Sequence, residues 1–547
     1  MSGPLIVSHG AIHPRTSSEP STLALSIADS SVANLAPTGG TWFFHQPAEL
    51  GGHIHPSTLA LALQHTLGAY AHLCGSLSLR PPAHIVAAHS ARYGRVWVRF
   101  GDHDDPGVGL TVASWDRPMT DLLPLELDTA VDSAPASAPE LIDARGMASL
   151  REGRAGYGVV VQITTFSDGG LVISVLAQHC LMDAHALAVF VNDWARVHTE
   201  QTRQRADGFP TDFFPRRLFS PELLDKHAAG DIDHDAQDPV IVSAADRLPQ
   251  IKLDFWARRP GHPEDLGPVW FKAPRDPPPG VQALDAAAGH RRGPRVPWEE
   301  WDTGAPVLDR TIVFSPQQIE RLYAAVHDSA APSRESSTQG QGSNGHHAKE
   351  HHRVSRLDAV LASVWAAIVR ARNLPPETQV YLETTLGLRS RVIPPLGEAF
   401  VGSPIINCSS ALPAAALTPG AGARAIRDTI TEFSPSAVGA MLHRMAFVLD
   451  PAREWNCFLG ERHVLTTSWL GIGAYDADFG TGRPGYVHAN MPACDGLLVA
   501  MDVAHATKGA KWHESGLSVR LMLRAGVMEQ VLVDQELRGV DLSRGYR

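Results

Sequence analysis

The strongest constraint on the fold is a junction between an apolar strand and a helix in residues 171–195, LVISVLAQHCLMDAHALAVFVNDWA. Residues 171–177 form an apolar run of strand length that follows the turn-forming pair Gly169 and Gly170. From Leu187 onward, apolar residues recur at the spacing of one helix face. The sequence therefore predicts a buried strand that enters a helix through a short connection.

One histidine lies in that connection. His179 follows the strand directly, at a place where a rigid scaffold holds a side chain open to a cleft. A neutral imidazole has a pKa of about 6.5, so near pH 7 it takes up a proton and returns it. His179 is the first candidate for a general base, a role typically worth about 10² to 10⁴ in rate. The alternative is a histidine that is only hydrogen-bonded at a strand end.

Asp183 follows four residues later, at the start of the helix. An aspartate there caps free backbone N–H groups. It could equally pair with an arginine elsewhere and so fix the loop that carries His179. Both structural roles are favoured over direct catalysis by Asp183.

Length and composition limit the class of protein. A chain of 547 residues is too long for one hydrophobic core and should form at least two domains. The net charge of −11, without any basic run, argues against nucleic-acid and anionic-membrane partners. Five widely spaced cysteines without a C-x-x-C pair argue against a disulfide framework or a zinc site and favour a reducing compartment.

The N-terminus lacks the basic and apolar regions of a signal peptide, and the longest apolar helix candidate, residues 359–369, is too short to span a bilayer. We therefore expect a cytoplasmic protein, and we expect it to be a monomer.

Two segments resemble linkers or inserts. Residues 257–306 are dense in proline and glycine, and residues 328–352 are almost free of apolar side chains, which predicts a disordered surface loop. Between them, a strand precedes a helix that opens at Ser315 and Pro316. The predicted division is an N-terminal domain over 1–220, a crossover linker over 221–306 and a C-terminal domain over 307–547 that contains the insert 328–352.

Two apparent motifs are rejected. Residues 480–485, GTGRPG, fit a dinucleotide fingerprint, but the internal proline and the lack of a following helix indicate a tight turn. The histidine-rich stretch HHAKEHH lies in the segment predicted to be disordered, so no metal site is expected. Without a G-x-S-x-G or a visible Cys–His pair, no covalent nucleophile is indicated.

Two remaining motifs occur in a set order, about 300 residues apart. They are H-x-x-x-D from His179 to Asp183 and D-F-G-x-G-x-P from Asp478 to Pro484. This ordered pair resembles the BAHD acyltransferase family, especially its fungal branch around the trichothecene 3-O-acetyltransferases. Further similar stretches are LSIAD, SRLDAVLASVWAAIVRAR, LRSRVIPPLGEAFVGSPI and TTSWLGIGAYDADFGTGRP.

The resemblance implies an α/β fold of two chloramphenicol-acetyltransferase-like domains joined by a long crossover linker, with the active-site channel at their interface. It implies acyl-CoA as co-substrate, with acetyl-CoA as the default, a small-molecule acceptor and no permanently bound cofactor. His179 would then deprotonate the acceptor hydroxyl or amine, which attacks the thioester directly.

The resemblance also assigns supporting residues. Asp183 would pair with Arg389, with Arg391 as the alternative. In this family an aspartate at the position of Asp478 is sometimes counted as a second catalytic residue, so Asp478 is a second catalytic candidate, although its setting suggests a turn.

Ser468 and Trp469 correspond to channel-lining positions and could hold the tetrahedral oxyanion. Some positions depart from the family pattern: Ala184 replaces a glycine, Thr481 a tryptophan and Ser403 an asparagine.

Three functions remain open at this point. The leading one is a CoA-dependent O- or N-acyltransferase that modifies a secondary metabolite. The second is a condensation-type enzyme with a carrier-protein donor, which Gln178 disfavours because that motif has a second histidine there. The third is a non-catalytic binding protein or a cyclase with the same fold.

Overall fold

The computed structural model describes residues 3–16, 18–45, 54–79, 89–123, 131–132, 139–150, 152–203, 219–233, 236–255, 257, 293–328, 353–398, 400–454, 456–506 and 509–538. Its strands are β1 Leu5–Ile12, β2 Ser21–Ala24, β3 Thr38–Phe44, β4 Ser76–Ser78, β5 Trp97–Phe100, β6 Val108–Trp115, β7 Val131–Asp132, β8 Val159–Phe166, β9 Leu171–Ala177, β10 Val307–Phe314, β11 Gln379–Gly387, β12 Ile405–Pro413, β13 His463–Ser468, β14 Tyr486–Ala489, β15 Leu497–Asp502 and β16 Leu517–Arg524. Its α-helices are α1 Ile27–Ser31, α2 Pro56–Leu67, α3 Ala184–Arg203, α4 Glu222–Asp225, α5 Pro239–Asp246, α6 Pro316–Asp328, α7 Arg356–Arg372, α8 Pro419–Thr431, α9 Pro435–Phe447, α10 Trp512–Ser515, α11 Ala525–Val533 and α12 Gln535–Arg538.

Two large mixed sheets organise the chain. The first has the order β1-β6-β8-β9-β3-β14, and the second has the order β12-β11-β13-β15-β16-β10-β7. A small third sheet has the order β2-β5-β4. Helices accompany strands in both halves, which agrees with the predicted α/β class.

The two halves exchange strands. β14, from the C-terminal half, pairs antiparallel with β3 in the first sheet. β7, from the N-terminal half, pairs with β10 at the edge of the second sheet. Each sheet therefore needs both halves of the chain, and this interlocking fixes the interface in which the site lies.

Local sequence explains the elements around that interface. β9 has the predicted bounds, and the turn before it uses Gly169 at φ +85° while the Asp168 carboxylate accepts the Gly170 N–H at 3.0 Å. α6 begins at Pro316 as predicted, because the Ser315 hydroxyl accepts the Gln318 N–H at 3.3 Å.

Two other helices share a reciprocal capping arrangement. In α1, Ser26 and Asp29 bond each other's backbone N–H, and in α7 Ser355 and Asp358 do the same. Each pair satisfies two backbone donors that a helix start leaves free. The two buried aspartates serve the same local purpose in the two halves of the chain.

The segment predicted as a linker is packed where the structure describes it. Leu224 and Ala245 are buried in its helices, and Val296 and Trp301 are buried near its end. Residues 258–292 of this linker, and residues 329–352 of the predicted insert, lie outside the described residues. The domain boundaries themselves remain a prediction.

No helix among the described ranges is long and apolar enough to cross a bilayer.

Candidate active site

The first element of the site is the connection between β9 and α3, residues 178–183. The Gln178 N–H donates to the Gly158 carbonyl at 2.9 Å, and the Leu181 N–H donates to the Gln178 carbonyl at 2.9 Å. These bonds hold the connection as a tight turn at the strand end. His179 projects from this turn into a cavity of about 530 Å³.

Both halves of the chain form the cavity wall. The lining residues are Leu35, Ala36, Pro37, Thr38, Gly39, His179, Asp183, Ala184, His185, Trp301, Thr385, Leu386, Gly387, Arg389, Ser390, Arg391, Glu398, Ile405, Cys457, Phe458, Leu459, Leu465, Thr467, Ser468, Trp469, Leu470, Ile472, Met491, Pro492, Cys494 and Leu497. Apolar side chains dominate, and the charged ones come from two segments, 183–185 and 389–398. A predominantly apolar cavity with a few convergent polar groups is typical of a small-molecule site.

The His179 imidazole has its Nδ1 occupied. Nδ1 lies 3.0 Å from the Ser403 hydroxyl oxygen, and the main-chain carbonyl of His179 itself raises the pKa by favouring a proton on the ring. Only Nδ1 is near enough along the side chain to reach that carbonyl, and a carbonyl oxygen only accepts. Nδ1 therefore carries the ring proton, and Nε2 is the unprotonated nitrogen.

The charge state of His179 follows from its surroundings. Burial lowers the pKa of His179 below the usual 6.5, while the bond to its own carbonyl and the Asp183 charge oppose that shift. The ring is therefore neutral at pH 7, and Nε2 is able to accept a proton.

Asp183 is buried at the cavity wall, and its carboxylate is engaged by protein donors. Its two carboxylate oxygens accept from the Arg389 guanidinium at 2.5 and 3.0 Å, and Oδ1 also accepts the Ala186 N–H at 2.9 Å. The Asp183 N–H donates to the Gly402 carbonyl at 3.0 Å. The Asp183 side chain thus fills both predicted structural roles, helix cap and partner of an arginine.

The alternative arginine is engaged elsewhere. Arg391 donates to the carbonyls of Ile430 and Phe433 at 3.1 and 3.3 Å, although it also lines the cavity. The structure therefore brings Arg389, and not Arg391, to Asp183.

Ser468 and Trp469 lie at the end of β13 and line the cavity. The Ser468 hydroxyl accepts the Leu470 N–H at 3.3 Å and is exposed, so its own proton is available to a bound group. The Trp469 side chain is buried, and the backbone N–H of Trp469 donates to the Ala500 carbonyl at 2.7 Å.

Asp478 is placed differently. Its carboxylate is exposed, lies outside the cavity lining and accepts the N–H groups of Gly480 and Gly482 at 2.8 and 2.9 Å. Gly480 has φ +102°, a conformation that favours glycine because it lacks a Cβ. The segment is the turn that its sequence suggests.

The same turn holds the distal half of α3. The Asp478 carbonyl accepts from the Thr199 hydroxyl at 2.9 Å, and the Phe479 carbonyl accepts from the His198 ring at 2.8 Å. Phe479 is buried edge-on against Trp194, with ring centroids 5.2 Å apart. Thr199 lies about 24 Å along the helix axis from Asp183, at 1.5 Å per residue.

Sequence reasoning missed three contributors to the site. Ser403, which contacts His179, was noted only as a departure from the family pattern, and Asp29, whose carboxylate accepts the Ser403 N–H, only as part of a matching stretch. Trp301 was assigned to the linker although it lines the cavity. For Ser403 and Asp29, the available signal was a polar residue within an apolar stretch. That signal does not show which residue is the partner.

Comparisons with known proteins identify the family of the chain. The model of the transferase family matches residues 6–245 and 272–537. The chain belongs to this family, the BAHD acyltransferases.

Among BAHD relatives, the acyltransferase AFT15-1 of Alternaria alternata is 22% identical over 402 residues, which is 70% of this chain and 68% of that protein. The acyltransferase abl6 of Leptosphaeria maculans is 22% identical over 443 residues, 78% of this chain and 73% of that protein. The predicted resemblance to fungal BAHD acyltransferases is confirmed, and the chain is an acyltransferase.

Solved structures share the fold. TRI101 of F. graminearum, complexed with coenzyme A and T-2 mycotoxin, superposes with a TM-score of 0.59 at 15% identity, covering 94% of this chain and 98% of that one. Vinorine synthase gives 0.55 at 16% identity, covering 96% of each chain. The predicted fold of two chloramphenicol-acetyltransferase-like domains is confirmed.

The first condensation domain of the calcium-dependent antibiotic synthetase has the same fold, with a TM-score of 0.52 at 14% identity and 96% of each chain covered. Likeness at this identity establishes the fold alone, so it leaves the acyl donor open. In the part of the chain that the structure describes, no group of three or more His, Cys, Asp or Glu side chains is placed to hold a metal ion.

Proposed function

We propose that this BAHD acyltransferase transfers an acyl group, by default acetyl, from acyl-CoA to a hydroxyl or amine of a small secondary metabolite. One observation carries the proposal: His179, with its Nδ1 held beside the Ser403 hydroxyl, lies in the wall of a cavity that both halves of the chain line. A general base needs this arrangement, because the unprotonated nitrogen must meet the acceptor while the other nitrogen fixes the ring.

The reaction proceeds by direct attack. His179 Nε2 takes the proton of the acceptor as its oxygen or nitrogen attacks the thioester carbonyl carbon. A new C–O or C–N bond forms, and the carbonyl oxygen becomes an oxyanion. When the C=O bond forms again, the C–S bond breaks, and the CoA thiolate receives the proton from His179.

The neighbouring residues have supporting roles in this mechanism. The Ser468 hydroxyl, at the cavity wall, donates to the oxyanion, and Trp469 shapes the same wall. The Asp183–Arg389 ion pair fixes the loop that carries His179. Asp478 supports the fold at a distance from the reacting atoms.

We also propose a cellular location and an oligomeric state for the protein. We place it in the cytoplasm as a monomer that uses acyl-CoA without a resident cofactor. All five cysteines are buried, and the sequence contains no C-x-x-C pair, which fits a reducing compartment.

The decisive experiment requires no knowledge of the acceptor. Thiol release from a series of acyl-CoAs is measured with the purified full chain and with His179→Ala, alongside calorimetric binding of free CoA. We expect both proteins to bind CoA and slow hydrolysis to fall by about 10² to 10⁴ in the variant, because the base is lost. His443→Ala is the matched control, since His443 is buried in α9 outside the cavity lining.

Two results would contradict the proposal. If His179→Ala hydrolyses acyl-CoA as fast as the wild-type protein, His179 is not the general base. Absent CoA binding, together with transfer from an acylated carrier protein, would favour the condensation-type alternative that the shared fold leaves open.

A further inference from the structure

The family-like stretch LSIAD, residues 25–29, has no part in the mechanism so far. Its Asp29 is 1% exposed and does not line the cavity. Oδ2 accepts from the N–H and the hydroxyl of Ser26 at 3.0 and 2.6 Å, which caps α1. Oδ1 accepts the backbone N–H of Ser403 at 2.5 Å. One carboxylate therefore joins the start of α1 to the residue that touches His179.

The Gly402–Ser403 peptide is held from both sides. Asp29 binds the N–H of Ser403, and the Asp183 N–H binds the carbonyl of Gly402 at 3.0 Å. Gly402 has φ +152°, and a Cβ there would lie 3.1 Å from the Asp29 carboxylate oxygen. The close approach of Asp29 thus depends on a glycine. With its backbone fixed, Ser403 presents its hydroxyl oxygen 3.0 Å from His179 Nδ1.

We propose that Asp29 is a positioning residue for His179 that acts through Ser403. Its carboxyl group holds the Ser403 backbone so that the Ser403 hydroxyl stays in contact with Nδ1 and the ring is oriented with Nε2 toward the cavity. This inference rests on the proposed function, because it concerns the orientation of the same base.

The inference predicts an effect on turnover and not on substrate binding. Asp29 lies behind the cavity wall, so its loss leaves the substrate contacts in place. Its loss does release Ser403 and hence the imidazole, and misplacement of a catalytic group by about 1 Å costs on the order of 10²-fold in rate. Asp29→Ala should therefore lower kcat by that order while KM for acyl-CoA stays nearly constant.

The chain contains a matched control. Asp358 occupies the equivalent position in α7, is 2% exposed and caps its helix with Ser355. Its remaining partner is Arg427, and it does not line the cavity. Asp358→Ala should lower the melting temperature as Asp29→Ala does and leave kcat unchanged. Equal kcat in the two variants would overturn the inference.

A conservative replacement separates the acceptor role from the charge. Burial raises the pKa of Asp29 to about 7, against the opposing effect of its hydrogen bonds from Ser26 and Ser403. Asparagine resembles the neutral form and keeps one oxygen that can accept the Ser403 N–H. Asp29→Asn should recover most of the kcat that Asp29→Ala loses, and a loss as large as in Asp29→Ala would contradict the proposed contact.

A double-mutant cycle gives the sharpest test. If Asp29 acts through the Ser403 hydroxyl, then Asp29→Ala should lower kcat no further in a Ser403→Ala background. If the two substitutions lower kcat by independent factors that multiply in the double variant, the inference is overturned. If Asp29→Ala does not fold, Ser26→Ala replaces it in the cycle, with Ser355→Ala as its control, because Ser26 donates to the same carboxylate.

His179→Ala is measured in parallel. Full activity in that variant would refute the proposed function itself. Its inactivity, combined with an Asp29→Ala variant that behaves like Asp358→Ala, would refute only the role of Asp29.

Discussion

Asp183 and Asp478, the aspartates of the two family motifs, occupy contrasting surroundings. The Asp183 side chain is 7% exposed and is paired with Arg389, which is 13% exposed. Asp478 is exposed, and its carboxylate accepts only backbone N–H groups of its own turn among the described residues. The first joins the two halves of the chain beside the base, whereas the second closes a local turn against the far end of α3.

The contrast shows that a motif carboxylate takes its role from burial and partner. Two buried opposite charges compensate each other, so Asp183 and Arg389 depend on each other. An exposed carboxylate is solvated by water whatever its partners do. Asp478 therefore contributes to stability only through the hydrogen bonds of its own turn. Three experiments test this difference, from the largest expected effect to the smallest.

Removing either member of the buried pair should have the largest effect. Asp183→Ala or Arg389→Ala leaves one charge buried and unpaired, which we expect to cost about 3–5 kcal/mol in the free energy of unfolding. Denaturant titration measures this cost. Turnover of the folded fraction should also fall, because Asp183 holds the turn of His179.

Arg391→Ala is the matched control for the arginine, since Arg391 donates to carbonyls without a carboxylate partner among the described residues. We expect the loss of stability to be clearly smaller there. If Arg389→Ala and Arg391→Ala lose the same free energy of unfolding, the ion pair contributes no more to stability than the hydrogen bonds of Arg391 do.

Replacing Asp478 should have a moderate effect. Asp478→Ala removes an acceptor of two backbone N–H groups at an exposed turn, a loss of about 1 kcal/mol in the free energy of unfolding. Because the turn contacts α3 about 24 Å from Asp183, kcat should stay near the wild-type value. We would measure kcat by steady-state kinetics at a temperature well below the unfolding transition. A drop in kcat as large as that of His179→Ala would instead support Asp478 as a second catalytic residue.

The pH dependence should show the smallest and most specific difference. General-base catalysis requires neutral His179, and burial lowers the pKa of His179, so the acidic limb of kcat/KM should lie below pH 6.5. The Asp183 charge raises that pKa by favouring the imidazolium. Asp183→Asn should therefore move the limb to a still lower pH, while Asp478→Asn should not move it.

A limb that moves equally in both variants, or toward higher pH in Asp183→Asn, would contradict this electrostatic account.

Local sequence was sufficient for the elements around the site. The apolar run and its glycine turn predicted β9 with the bounds observed, and Ser315 with Pro316 predicted the start of α6. The turn at residues 480–485 was likewise expected from its glycines and its proline. These features depend on residues within a few positions of one another, which is the range over which backbone propensity and capping act.

The sequence by itself thus determined where the base and its loop lie, through a strand, a tight connection and a helix, and through two ordered motifs that indicated the family. Only the tertiary structure decided the partners: Arg389 over Arg391 for Asp183, Ser403 for His179, and Asp29 for Ser403. Those contacts join residues more than 200 positions apart. Periodicity tells which side of a strand or helix a residue occupies, but which distant segment packs against that side is fixed by how the two sheets interlock.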